Sequence, residues 1–175
     1  IFLKDSYVLH MIEMELVGVR VELPASAPIV LLRESTDRGL FLPIFVGSAE
    51  ATSIALAMDQ VEPPRPITHD LLVLVIQNLD AELQRVVVTE IKDKTFFAEL
   101  HIRDGNGTRK ISCRPSDAIA VALRMGTPIC VVDEVLQQAG YHIPDDDDDQ
   151  EEHVLAEFRD FLDDVTPDDF LGEAP

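Results

Sequence analysis

The chain of 175 residues has no tryptophan and only two cysteines, Cys113 and Cys130. Two cysteines without CxxC spacing supply neither a disulfide scaffold nor a structural zinc site. Such sparing use fits a reducing compartment, so the expected location is cytoplasmic. The pair reads as small buried hydrophobes, with a single disulfide between them as the alternative. Long apolar runs are missing too. The longest, Leu71–Ile76, falls far short of the ~20 residues that span a bilayer, so no membrane is expected among the partners. Residues 1–10 lack the basic and apolar order of a signal peptide. With Met11 read as a natural start, they are taken as a leader or cloning remnant outside the fold.

Positive charge is scarce. Lys and Arg number 14 against 33 Asp and Glu, for a net charge of −19. Residues 144–175 hold 14 acids and one base, Arg159, whereas the preceding 143 residues hold 19 acids and 13 bases. Nucleic-acid binding gains from cations that displace counterions, so an acidic body argues against tight, non-specific DNA binding. A small catalytic site remains compatible with that balance where metal ions bring the positive charge.

What is present is alternation. Ile12–Leu23, Ile29–Leu32 and Leu40–Val46 read as strands, with a break at Gly18, a turn at Pro24–Pro28, and Pro43 favouring an edge or bulge. Helices are predicted at Ser48–Met58 and Asp70–Leu79, with Ser48 and Thr68 as caps. The second is apolar all round and is expected to be buried. A hairpin follows about Lys92-Asp-Lys94, then a strand after the turn Asp104-Gly-Asn-Gly107. Ser116 is expected to cap a helix that Gly126 ends. Pro128–Val132 is a last strand, and Asp133 opens a short helix to Ala139. The segments 49–58 and 116–125 share four of ten residues, an acid at the second position, and a Pro-Ile pair downstream. That echo suggests two β-β-β-α halves. The predicted class is α+β: a mixed, mostly antiparallel, curled sheet with helices packed on it, spanning 11–143. Residues 144–153, with five consecutive aspartates, read as an acidic flexible linker. In 154–175, Val154, Phe158, Phe161, Leu162 and Val165 recur at helical spacing, predicting an amphipathic helix and tail.

Walker, Rossmann, zincin and nucleophile-elbow signatures are all absent, so no nucleotide or organic cofactor is expected. Four segments together do resemble a known family. They are Leu42-Pro-Ile-Phe-Val-Gly47 with Glu50-Ala51, then Pro64-Arg-Pro-Ile-Thr-His-Asp-Leu71, then Arg114-Pro-Ser-Asp-Ala-Ile-Ala120, and last the stretch ending Thr166-Pro-Asp-Asp-Phe170. In order and spacing they resemble the bifunctional nuclease domain, in its actinobacterial form. Phe45 stands where Trp is expected and Cys113 where Ala is usual. The resemblance implies hydrolysis of both DNA and RNA, and self-association into a homo-oligomer.

Phosphodiester hydrolysis commonly uses acids that hold Mg²⁺ or Mn²⁺ and a group that handles the proton. Within the matching segments the candidate metal ligands are Glu50, Asp70 and Asp117. His69 is the proton-transfer candidate, and Arg65, Arg114 and Ser116 are the phosphate-binding ones. First-turn acids also stabilise helices without any catalytic role. Glu99 and His101 share a strand face, for which a cross-strand polar pair is the ordinary outcome. The alternative is a non-catalytic, self-associating interaction module. Carboxylates converging in an open cleft favour the enzyme, whereas the same acids tied to amides and arginines away from any cleft favour the module.

Overall fold

The computed structural model describes residues 10–21, 27–36 and 38–142. The expected leader (save His10), most of the Pro24–Pro28 turn, the acidic linker and the terminal helix lie outside the described residues. Within them the elements run β1 (Met11–Val21), β2 (Pro28–Glu34), β3 (Leu40–Phe45), α1 (Ser48–Met58), α2 (Thr68–Asn78), β4 (Glu82–Lys92), β5 (Thr95–Asp104), β6 (Gly107–Cys113), α3 (Pro115–Met125), β7 (Ile129–Val132), α4 (Asp133–Ala139) and β8 (Tyr141–His142).

The strands form one sheet in the order β6-β5-β4-β7-β1-β2-β3-β8. Every described pairing is antiparallel except β4 with β7. The class is therefore α+β with a mixed, mostly antiparallel sheet, as the alternation predicts. Two three-stranded meanders flank β7, whose Ile-Cys-Val-Val run is buried at all four positions, as suits a central strand. Residues opposite one another across a sheet share a face. Met14, Ile129, Val86 and Leu100 thus make one buried row, and Ile12, Val131, Val88 and Ala98 the next. Against these rows α3 brings Ile119 and Val121 together with Ala118, Ala120 and Ala122. Its alanines let it lie close to β4 and β5 below and to α1 and α2 beside it. The short α4 touches β3 as well as β4 and β7. Those strands stand several places apart in the order, so the sheet curls around that helix.

Local chemistry explains the boundaries. The β1–β2 register slips between Leu16 and Gly18, leaving Val17 in a bulge beside the glycine. β8 pairs only with Leu40 and Phe41, stopping short of Pro43, which has no N–H to offer. The β4–β5 turn is tighter than predicted: Asp93 and Lys94 alone form the loop, both at positive φ. At helix starts the predicted caps give way by one or two residues. Gly47, Ile67, Arg114 and Val132 hold the cap positions instead of Ser48, Thr68, Ser116 and Asp133, and none uses a side-chain hydrogen bond to cap. Pro115 at the first turn of α3 presets the helical φ. Gly126 ends α3 at φ 63°, ψ 36°. Gly126→Ala is expected to cost about 1 kcal/mol, the penalty for a Cβ in left-handed backbone. Urea unfolding reads the cost directly, and an unchanged midpoint would mean that this turn relaxes freely.

The expectation that α2 is buried all round is corrected. Only His69 and Ile76 are buried, while Leu71 (55% exposed), Leu72, Leu74, Val75 and Leu79 (71%) face outward. The helix packs on α3 and β4 from one side only. No helix among the described residues is long and apolar enough to cross a membrane. Both cysteines are free, one half-buried and one buried, which disposes of the disulfide alternative.

Candidate active site

The packing of α1, α2 and α3 draws their charged residues into one network. Arg114, the N-cap of α3, grips the first turn of its own helix. Its Nε donates to Asp117 Oδ2 (2.7 Å) and its Nη2 to Asp117 Oδ1 (2.9 Å). The same Nη2 donates to Glu50 Oε1 at 2.6 Å, from the first turn of α1. Two carboxylates from two helix starts thus converge on a single nitrogen. This fork geometry is the strong form of an arginine–carboxylate pair.

Behind Asp117 the network runs inward. His69 Nε2 lies 3.1 Å from Asp117 Oδ1, and His69 Nδ1 lies 2.8 Å from Ser53 Oγ. Arg124, from the last turn of α3, donates Nη2 to Ser53 Oγ (3.0 Å) and to the Ser53 carbonyl (3.1 Å). Its Nε donates to Asp70 Oδ1 at 2.6 Å, and Asp70 Oδ2 accepts the Ile67 N–H at 2.9 Å. Proton bookkeeping fixes one arrangement for a neutral imidazole. Arg124 only donates, so Ser53 Oγ accepts from it and turns its own hydrogen to His69 Nδ1. Asp117 as a carboxylate only accepts, so His69 carries its proton on Nε2. The ring is buried with both nitrogens in use, so it orients Asp117 rather than facing solvent.

Burial alone would raise the Asp117 carboxyl, but hydrogen bonds from Arg114 and His69 outweigh it and hold Asp117 below the usual carboxylate range. Asp70 follows the same pattern: desolvation opposes, while Arg124 and the Ile67 amide prevail. For Arg114, hydrogen bonds to Asp117 and then to Glu50 overcome desolvation and strengthen its hold on the proton. Cys113 is pushed up to about 11, first by burial and then by the charge on Asp117, and so is a poor nucleophile.

The structure therefore brings Glu50, Asp117, Arg114 and His69 together. Asp70 faces a different arginine on the other side of Ser53. Arg65 lies on the exposed connector before α2 and joins no ion pair among the described residues. Ser116 is buried in the first turn of α3. Glu99 and His101 pair with each other at 3.0 Å, with Lys110 at 3.7 Å from the same carboxylate. Among the described residues no group of three or more His, Cys, Asp or Glu side chains is placed to hold a metal ion. Ser53 and Arg124, which complete the network, were not among the candidates drawn from the sequence.

The depressed carboxyls set an acid limit on stability. Besides Asp70 and Asp117, Asp133 is lowered chiefly by Arg38. Glu34 is lowered too: burial opposes, but Thr36 and Arg38 prevail. A carboxyl with a depressed folded value contributes stability above its unfolded value, and that contribution is lost as pH falls through the folded one. The melting temperature is therefore expected to hold down to about pH 5 and to fall below about pH 4, the unfolded carboxylate range. A flat profile to about pH 3 would show these ion pairs to be neutral for folding.

The chain matches the family described as "Bifunctional nuclease domain" over residues 30–144. It is 47% identical over 164 residues to a protein of Mycobacterium tuberculosis described as uncharacterized, covering 90% of this chain and 97% of that one. It is also 32% identical over 110 residues to "Bifunctional nuclease 1" of Arabidopsis thaliana, covering 61% of this chain and 34% of that protein. Against "Bifunctional nuclease 2" of the same plant the figures are 32% over 114 residues, 62% and 35%. The chain thus spans about a third of the plant proteins' length.

Proposed function

Since the chain belongs to the bifunctional nuclease domain family, we propose that it hydrolyses phosphodiester bonds of DNA and RNA, with low sequence specificity, where Arg114 joins Glu50 to Asp117. The observation that carries this reading is the shared nitrogen. Arg114 is 65% exposed at its side chain, whereas the carboxylates it bridges are mostly covered. An incoming phosphate competes for that guanidinium with a ligand of the same geometry. Moving Arg114 onto phosphate frees Glu50 to take a proton from the attacking water. The water oxygen bonds to phosphorus as the bond to the leaving group breaks, negative charge gathers beside Arg114, and the departing oxyanion takes a proton from solvent. His69, backed by Ser53, keeps Asp117 in place throughout.

Three carboxylates against two guanidiniums leave the network one negative charge in excess when His69 is neutral. An anionic substrate makes that worse, which is the physical case for a divalent cation. Glu50 and Asp117 are the residues that would hold Mg²⁺ or Mn²⁺, since such ions need only one or two protein carboxylates when phosphate and water complete the shell. The ion would supply positive charge to the phosphoryl oxygens.

The same pairings support a second reading. Asp70, tied to Arg124 and to a backbone amide, looks structural, and Arg114 could serve only to pin α1 to α3 in a non-catalytic interaction module. Incubating the purified protein with single-stranded DNA, duplex DNA and RNA, with Mg²⁺, Mn²⁺ or a chelator, separates the two. The nuclease reading expects cleavage of DNA and RNA that stops on chelation. Cleavage that persists would remove the cation and keep the nuclease, whereas intact substrates throughout would leave the module.

A further inference from the structure

We propose that residues 154–165 dock, as an amphipathic helix of this same chain, on the outward apolar face of α2. Helix α2 has two apolar faces. One, through His69 and Ile76, meets α3 and the sheet. On the other, Leu71, Val75 and Leu79 succeed one another at intervals of four residues, flanked by Leu72 and Leu74, and all five are exposed. A surface helix ordinarily has one such stripe, and exposed apolar patches of this kind mark contact sites.

The chain carries a second stripe in need of cover. Val154, Phe158, Phe161, Leu162 and Val165 fall on one side of a helix by their spacing. The two stripes match in length, at roughly 12 to 17 Å for a rise of 1.5 Å per residue. Reach is sufficient. The described chain stops at the β8 edge, five strands from β4, roughly 24 Å at the usual strand spacing. Eleven residues, 143–153, separate His142 from Val154 and extend to roughly 36 Å.

Charge selects this face over others. The polar side of the segment bears Glu157, Asp160, Asp163 and Asp164, so an acidic docking surface would repel it. The only ionisable residues of α2 are His69 and Asp70, and both are engaged inward. The exposed face of α2 therefore carries no charge of its own; exposed Arg65, in no ion pair among the described residues, precedes the helix in the connector, and exposed Asp80 follows its C-cap. The segment lies past residue 144, where the family match ends. The mycobacterial match covers 90% of this chain and so extends beyond that point.

The absence of tryptophan makes the test clean. Phe158→Trp in the full chain introduces the only indole. Docking predicts blue-shifted emission, protection from iodide quenching, and no change on hundredfold dilution. Adding Val75→Asp or, separately, Leu79→Asp should shift the emission to that of a free indole and restore quenching. Both positions are exposed, so circular dichroism should confirm an unchanged fold. Three results would overturn the proposal: an indole already exposed in the single variant, one indifferent to both aspartates, or one whose protection disappears on dilution. The last would assign the face to a second copy of the chain.

Discussion

Asp117→Asn is expected to lower nucleic-acid turnover by about 10²–10³-fold, the range for losing one positioned electrostatic group at a reacting centre, while the protein stays folded. The substitution keeps the shape of the side chain and removes its charge. Arg114 then exchanges two charge-assisted hydrogen bonds, at 2.7 and 2.9 Å, for contact with a single neutral amide oxygen, and keeps Glu50. The amide also sets its NH2 group against a donor either way, against Arg114 Nε if its oxygen faces His69 Nε2–H or against His69 if its oxygen faces Nε. The effect should fall on kcat more than on KM, since the phosphate contact of Arg114 survives in the bound state. Side-by-side rates of the two purified proteins on a labelled oligonucleotide decide the matter. Equal rates would place the chemistry elsewhere or assign it to a contaminant.

Arg124→Met is expected to destabilise the fold by about 2–3 kcal/mol, somewhat less than the 3–5 kcal/mol for breaking a fully buried ion pair, because Asp70 keeps some solvent. Methionine fills much of the same volume, so the loss is polar rather than steric. Arg124 is 10% exposed at its side chain, and it serves Asp70, Ser53 and the Ala120 carbonyl at once. Removing it leaves Asp70, a partly covered carboxylate, with only the Ile67 amide, and takes from Ser53 Oγ its donor. Chemical denaturation of Arg124→Met, Asp70→Asn and the double variant measures the coupling. If the two losses simply add, the ion pair contributes nothing of its own. The single variant should also slow turnover, because the Ser53 hydroxyl loses the donor that turns its hydrogen toward His69.

Seven of the eight described strands were legible because alternation is local, whereas β8, two residues long, is too short to show a pattern. The break expected at Gly18 is a bulge within one continuous strand, and Pro43, expected at an edge or bulge, lies just past the two residues of β3 that β8 covers. The sheet order was not legible, because β7 reaches its central position through pairings with Met11–Met14 and Val86–Val88, remote in sequence. Helix α2 misled for a related reason: an all-round apolar helix says that something must cover it, not what. Glu50, His69, Arg114 and Asp117 could be found because they stand in family segments at helix starts. Ser53 and Arg124 were passed over as single polar residues inside alanine-rich helices. The echo between 49–58 and 116–125 held a clue, since Arg124 aligns with Ala57 and Ser53 with Ala120. Asp70 parted from the other acids through helix geometry. Asp117 and Arg124 lie seven residues apart on one face of α3, about 10 Å along its axis. His69 and Asp70, adjacent on α2, diverge enough to meet one each.

The margins of the sheet have a bearing on how this protein meets its neighbours. On one flank the outermost described strand, β6, presents Arg109 and Lys110 beside its unpaired backbone. On the other, β8 covers Leu40 and Phe41 of β3, and a proline stands two residues further on. Cations and a missing amide are both means of refusing an extended polypeptide that would otherwise lengthen a sheet. Among the described residues, the two rims are therefore poor places for backbone annealing, and side chains on the helical surface are the better placed to make contacts.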